Sequence, residues 1–174
     1  MGRVSQAQAR QNRERIVATA ARLFRERGIA GVSVADVMAE AGLTHGGFYK
    51  HFASKDALVA EAVTRAFTDQ AAAIPGDRGG LLDAYLSPGH RDDAGTGCPS
   101  AGFGGDVAHA SGGDETRRAY ARGVEAFATH LGRPGEPDLA ALSTMVGALI
   151  LARATAGTDL SDRILAAARD ALAR

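Results

Sequence analysis

The sequence predicts an all-α protein, and three observations carry that expectation. Alanine dominates and strand formers are sparse, so helix propensity is high along most of the chain. Apolar residues recur at three- and four-residue spacing in one segment after another. Ser, Thr and Gly stand where helices need caps and stops. With 174 residues the chain can bury roughly 70% of its unfolded surface, so it needs no disulfide framework or structural metal. Its one cysteine, Cys98, excludes an internal disulfide and a Cys-rich zinc site.

Residues 10–27 place Ile16, Ala20, Leu23 and Phe24 on one helical face, and Gly28 follows as a left-handed stop. Ser33 opens a short second helix, with Asp36 completing a capping-box pair and Val34, Val37, Met38 and Ala41 forming its apolar face. Gly42 breaks it, and Leu43 supplies a buried anchor. Thr44 caps a very short helix over about 45–51, and Ser54 caps a longer one running to about residue 73. Pro75-Gly76 end that helix. The Pro- and Gly-rich centre, 75–114, predicts short helices around 79–87 and 100–110 joined by a flexible 88–98 connection. Helical pattern returns at 114–131, 138–156 and 160–173, with a clear break over Gly132–Pro137.

Charge is unevenly spread, although 20 Lys+Arg balance 20 Asp+Glu overall. Residues 1–60 hold nine basic against five acidic side chains, a net +4, and the remainder carries −4. A basic first third on an acidic remainder points one end at a polyanion. No apolar run approaches the length of a membrane span, and the N-terminus lacks the apolar core of a signal peptide. The expected setting is a soluble, cytoplasmic protein with no membrane partner.

The stretch 33–55, SVADVMAEAGLTHGGFYKHFASK, carries the functional reading. Two short helices separated by a tight Gly-containing turn are what a helix-turn-helix requires, and the second can enter a major groove roughly 12 Å wide. Thr44, His45, Gly46 and Gly47 are small or polar enough to approach base edges. Phe48 and Phe52 lie four apart and lock the segment to the core, leaving Tyr49 on another face with Lys50, His51 and Lys55 as phosphate partners around it. An ordinary packing unit with solvated histidines is the alternative for the same stretch.

At these positions the chain resembles the TetR family of transcriptional regulators. The matching residues are Phe24, Gly28, Ser33, Val37, Ala41, Gly42, Leu43, Thr44, Gly46 or Gly47, Phe48, Tyr49, His51, Phe52, Ser54 and Lys55, in order and spacing over about residues 10–60. The resemblance implies an N-terminal three-helix domain over 1–53 joined by a long helix to a helical effector-binding and dimerisation domain over 54–174. It implies a dimeric repressor of a palindromic operator, released by a small-molecule or reactive effector, and not an enzyme. Thr44 and Tyr49 would bond phosphates, with His45, Gly46 and Gly47 facing the groove and His45 reading a base. Ser33 and Lys55 would hold the flanking backbone, while Arg3, Arg10 and Arg13 reach an adjacent groove as an arm.

The resemblance makes the last two helices the expected dimer contact, through Leu142, Met145, Leu149, Ile164 and Leu172, with packing inside the subunit alone the alternative for about half of them. An effector pocket is expected among Leu82, Tyr85, Cys98, Phe103, Val107, Tyr120, Val124, Phe127, Met145 and Leu149, a mostly apolar set that names no ligand class, with ordinary core packing the alternative for each. Cys98 has two readings. Near a helix N-terminus its thiol favours the thiolate and senses an oxidant or electrophile; otherwise it fills a gap in the core. His90, Asp92, Asp93, Cys98 and His109 match no common metal spacing, and the paired glycines follow no strand, so neither a metal nor a nucleotide cofactor is expected. Two rivals remain: a DNA-binding regulator answering to a protein partner, and a small helical enzyme built on Cys98.

Overall fold

The computed structural model describes residues 6–133 and 135–174, and every regular element among them is helical. Helix α1 (Gln6–Arg27) buries Ile16, Ala20, Leu23 and Phe24, the face read from the sequence, and Gly28 closes it at φ +77°. Helix α2 (Val34–Glu40) begins on a reciprocal cap. The Asp36 amide donates to Ser33 Oγ at 3.1 Å, while the Ser33 amide donates to Asp36 Oδ2 at 2.8 Å. A 3₁₀ segment, His45–Lys50, leads to α3 (Lys55–Ala73), which is capped by Ser54 Oγ accepting from the Ala57 amide. Then come α4 (Arg78–Tyr85), α5 (Pro88–Asp92), α6 (Pro99–Ala108), α7 (Gly113–Leu131), α8 (Leu139–Ala154) and α9 (Asp159–Leu172).

Two apolar clusters hold these helices together. The first unites α1, α2, the 3₁₀ segment and α3 through Phe24, Val37, Phe48, Phe52 and Leu58, and it takes in Phe103 and Val107 of α6. The second unites α4, α7, α8 and α9 through Leu82, Phe127, Met145, Leu149 and Leu165. Helix α6 therefore plugs the base of the N-terminal bundle.

Two expectations are corrected here. The 88–98 connection is built rather than loose: Ser87 caps α5, and Arg153 reaches from α8 to donate to the carbonyls of Arg91 and His90, both at 3.0 Å. Arg91 in turn donates to Ser161 Oγ (2.9 Å) and Asp162 (2.7 Å) on α9. These bonds cross some 60 to 70 positions of chain, so local composition could not announce them. Second, Leu142, Met145 and Leu149 point inward and are buried within the subunit. The apolar residues that α8 and α9 leave outside are Leu139, Ile150, Leu151 and Leu160, with Ile164 and Leu172 only partly covered.

Candidate nucleic-acid interface and effector cleft

The turn after α2 is set by backbone chemistry. Gly42 takes φ +67°, which allows its amide to donate to the Ala39 carbonyl (2.9 Å) and the Leu43 amide to reach the Met38 carbonyl (2.8 Å). This paired closure of a helix C-terminus needs a left-handed residue. The chain then runs extended through Thr44, and the Gly47 amide donates to the Thr44 carbonyl at 3.0 Å. Phe48 is fully buried and stacks on Phe52, ring centroids 5.6 Å apart, so one side of the 3₁₀ segment is fixed to the core.

The other side faces solvent. Thr44, His45, Gly46, Tyr49 and Lys50 are all exposed, and Tyr49 leaves 70% of its surface outside while its ring meets Phe48 edge-on. The Thr44 hydroxyl does not cap the segment it precedes, contrary to expectation, and it has no hydrogen-bond partner among the described residues. His51 is half-buried, and its amide closes the 3₁₀ turn on the Phe48 carbonyl at 2.8 Å. A Cβ on Gly46 would meet only open space, so nothing inside the subunit demands a glycine there.

Two of the expected DNA contacts turn to partners within the subunit. Lys55 turns inward, donating to the Ile29 carbonyl at 2.6 Å beside the Phe24 ring. Arg13 forms a two-pronged pair with Glu61 of α3 and covers the Phe52 ring, so it braces α1 on α3 instead of extending as an arm. Arg3 lies outside the described residues. Arg10 and Ser33 are exposed, although the Ser33 hydroxyl donates to Asp36 at 2.6 Å. The Ile29 peptide is held from both sides, because its amide donates to Asp106 Oδ2 of α6 at 2.9 Å. Nothing in local sequence could have announced Asp106 as that partner.

The ten residues expected to line a pocket do not converge. Phe103 and Val107 sit in the first cluster; Leu82, Phe127, Met145 and Leu149 pack in the second; Tyr120 spends its hydroxyl on the Ser100 carbonyl at 2.8 Å, and Val124 lies between the clusters. Only Tyr85 and Cys98 border a cleft, of about 820 Å³, that opens between α1 and the α3–α5 side. Its remaining walls include Thr19, Arg22 and Arg25 of α1 and Ile74 and Leu81 opposite, none of them among the expected pocket residues.

His90 borders the same cleft and is neutral by its bonding: Nδ1–H donates to the Tyr85 carbonyl (2.7 Å), and Nε2 accepts from the Cys98 amide (2.9 Å). Burial pulls its pKa below the usual imidazole value. Cys98 is buried at the N-terminus of α6, and Asp93 accepts from the Thr96 amide at 3.0 Å. With both ring nitrogens of His90 occupied, this cluster offers no ready metal-ligand set.

Comparison with known proteins agrees with the fold. The model for "Bacterial regulatory proteins, tetR family" matches residues 16–62. An uncharacterized HTH-type transcriptional regulator, MT0206 of Mycobacterium tuberculosis (strain CDC 1551 / Oshkosh), is 32% identical over 166 residues, covering 81% of this chain and 84% of that protein. An uncharacterized HTH-type regulator of Bacillus subtilis (strain 168), YerO, is 40% identical over 52 residues, a stretch that is 18% of its length. Among solved structures, a TetR transcriptional regulator from Chloroflexus aurantiacus J-10-fl superposes with a TM-score of 0.72 over 97% of this chain and 95% of its own, at 23% identity.

Proposed function

The chain belongs to the TetR family of bacterial regulatory proteins, a family of helix-turn-helix transcriptional regulators, and from that premise we propose that it is a dimeric repressor released from a palindromic operator by a small molecule. Residues 1–53 form the reading head, and 54–174 the effector and dimerisation part. The observation that carries this reading is the outward side of residues 44–50, where two hydroxyls without internal partners, a lysine, a histidine and a bare glycine share one exposed surface. Thr44, Tyr49 and Lys50 contact phosphates, with His51 and Arg10 at the margin. His45 reads a base edge, while Gly46 and Gly47 allow the backbone to come close.

One head covers little DNA, so two are needed, spaced about one helical turn apart. The exposed Leu139, Ile150, Leu151 and Leu160 supply the contact, with Ile164 and Leu172 at its edge. Gly147, whose added Cβ would meet open space, lets a second α8 approach. An effector in the cleft touches α1 directly, and two tethers link α1 and the turn after it to α6 and the turn before it: Arg25 donates to the Gly97 carbonyl at 2.9 Å, and Asp106 holds Ile29. Closing or opening the cleft thereby tilts the heads.

Fluorescence anisotropy on the duplex upstream of the protein's own gene, against a scrambled duplex, tests the reading. Tyr49→Ala weakens binding to both duplexes, whereas His45→Ala narrows the gap between them. Wild-type protein that treats the two duplexes alike defeats the proposal.

A further inference from the structure

The cleft beside α1 has a chemical asymmetry that specifies its ligand. Most charged side chains on its walls are already occupied. Arg22 bonds Glu26 (3.0 Å) and Glu40 (2.5 Å), Asp69 accepts from Arg65 (2.7 Å), and Asp93 is folded back onto Thr96. Arg25 is the exception. Its Nε and Nη1 donate to the neutral carbonyls of Ala21 and Gly97, both at 2.9 Å, and Nη2 bonds nothing among the described residues. Asp69 and Asp93 are near enough to favour its charge but neither bonds it. A half-buried guanidinium held only by neutral carbonyls retains the cost of desolvation and an open prong for an anion.

The opposite wall is apolar, formed by Ala73, Ile74, Pro75 and Leu81. Beneath it the Tyr85 hydroxyl is buried beside the Cys98 thiol, a weak partner, with no oxygen or nitrogen bonded to it among the described residues.

We infer that this cleft takes a small amphipathic carboxylate, its carboxyl group paired with Arg25 and its hydrocarbon body lying against Ile74 and Leu81. The planar fork of Arg25 suits a carboxylate, and a cleft of about 820 Å³ holds a medium-chain or aromatic acid with room to spare. The assignment rests on the effector reading above and names its ligand class. The carboxylate also competes with Gly97 for the Arg25 fork, loosening the tether between α1 and the turn before α6.

Calorimetric titration of the full chain with octanoate and benzoate, each against its amide (octanamide, benzamide), tests this. At least one acid binds about tenfold or more tighter than its amide. Arg25→Gln erases that preference, while Arg25→Lys keeps it at lower affinity. Arg118→Gln, on the exposed side of α7, changes nothing. Equal binding of acid and amide, binding of neither pair, or an Arg25→Gln protein that still prefers acids overturns the assignment; should Arg25→Gln not fold, the wild-type comparison decides alone. The same preparations are measured on the upstream duplex. Sequence-specific DNA binding without acid preference leaves the regulator reading standing and the ligand class refuted, whereas acid preference without DNA binding does the reverse.

Discussion

At the scale of single residues, stability and recognition separate at Gly46. Its φ is not in the left-handed region and its Cβ position is open, so Gly46→Ala introduces neither strain nor clash. Replacing such a glycine by alanine raises stability by about 0.4–1 kcal/mol, through the unfolded chain. In the proposed docking the same methyl group would stand between the backbone and a duplex. We expect Gly46→Ala to melt at or above the wild-type temperature and to bind the operator at least about tenfold more weakly; unchanged affinity would remove Gly46 from the interface. His90 gives a pH signature by the opposite logic. Burial depresses its pKa, with Arg153 adding to the effect and the Tyr85 carbonyl and Asp93 opposing it. The unfolded imidazole titrates near about 6.5. Between that value and the lower folded pKa the unfolded chain binds the extra proton, so this contribution is whole above the unfolded pKa and is lost as pH falls. The melting temperature should therefore drop on going from about pH 7.5 to about 5.5, and His90→Gln, which can still donate and accept, should flatten that drop. An equally steep fall in the variant would place the titrating group elsewhere.

At the scale of elements, the turn between α2 and the 3₁₀ segment depends on one backbone conformation. Gly42 holds φ +67°, and an added Cβ there would meet nothing within 4 Å, so the cost of Gly42→Ala is purely conformational, about 1–2 kcal/mol. Differential scanning calorimetry should register the loss, and operator binding should weaken with it because the wedge is re-aimed. A variant as stable as wild type would show that the turn relaxes freely. Gly28, Ser33, Gly42 and Ser54 were legible in sequence because caps and stops are local devices, decided within four residues. Phe48 and Phe52 were legible for the same reason, being one helical turn apart. What sequence could not supply was distance. In sequence Lys55 reads as a DNA-facing cation and Arg13 as part of an arm, whereas the fold brings the Ile29 carbonyl to the one and Glu61 to the other. Phe103 and Val107 have the right period for a pocket, yet period says which face is buried and not against what. The buried Leu142, Met145 and Leu149 and the exposed Ile150 and Leu151 lie on one helix that is apolar nearly all round, so no stripe could be assigned to an inner or outer partner.

At the scale of the whole molecule, charge and symmetry have to act together. The chain is neutral overall, and its net +4 in residues 1–60 is offset by −4 behind it, so a single copy has little attraction for a polyanion. In the proposed dimer, two heads on one face would double the phosphates engaged while the acidic portions turn away. If the dimer engages about six to ten phosphates, affinity falls by about 10³ to 10⁵ between about 50 and 200 mM salt. Ile150 is 45% exposed and Leu151 56% on the outer side of α8, where a charge would be harmless to the subunit and ruinous to a close-packed pair. Ile150→Glu should therefore sediment as a folded monomer with helical content intact. Its binding to the upstream duplex should weaken by more than about tenfold, and the slope of log affinity against log salt should shrink to about half, because each bound particle then releases the counterions of one head. Weakened binding with an unchanged slope would mean that the substitution damaged the heads themselves. A variant that stays dimeric would mean that the second subunit docks on a different surface.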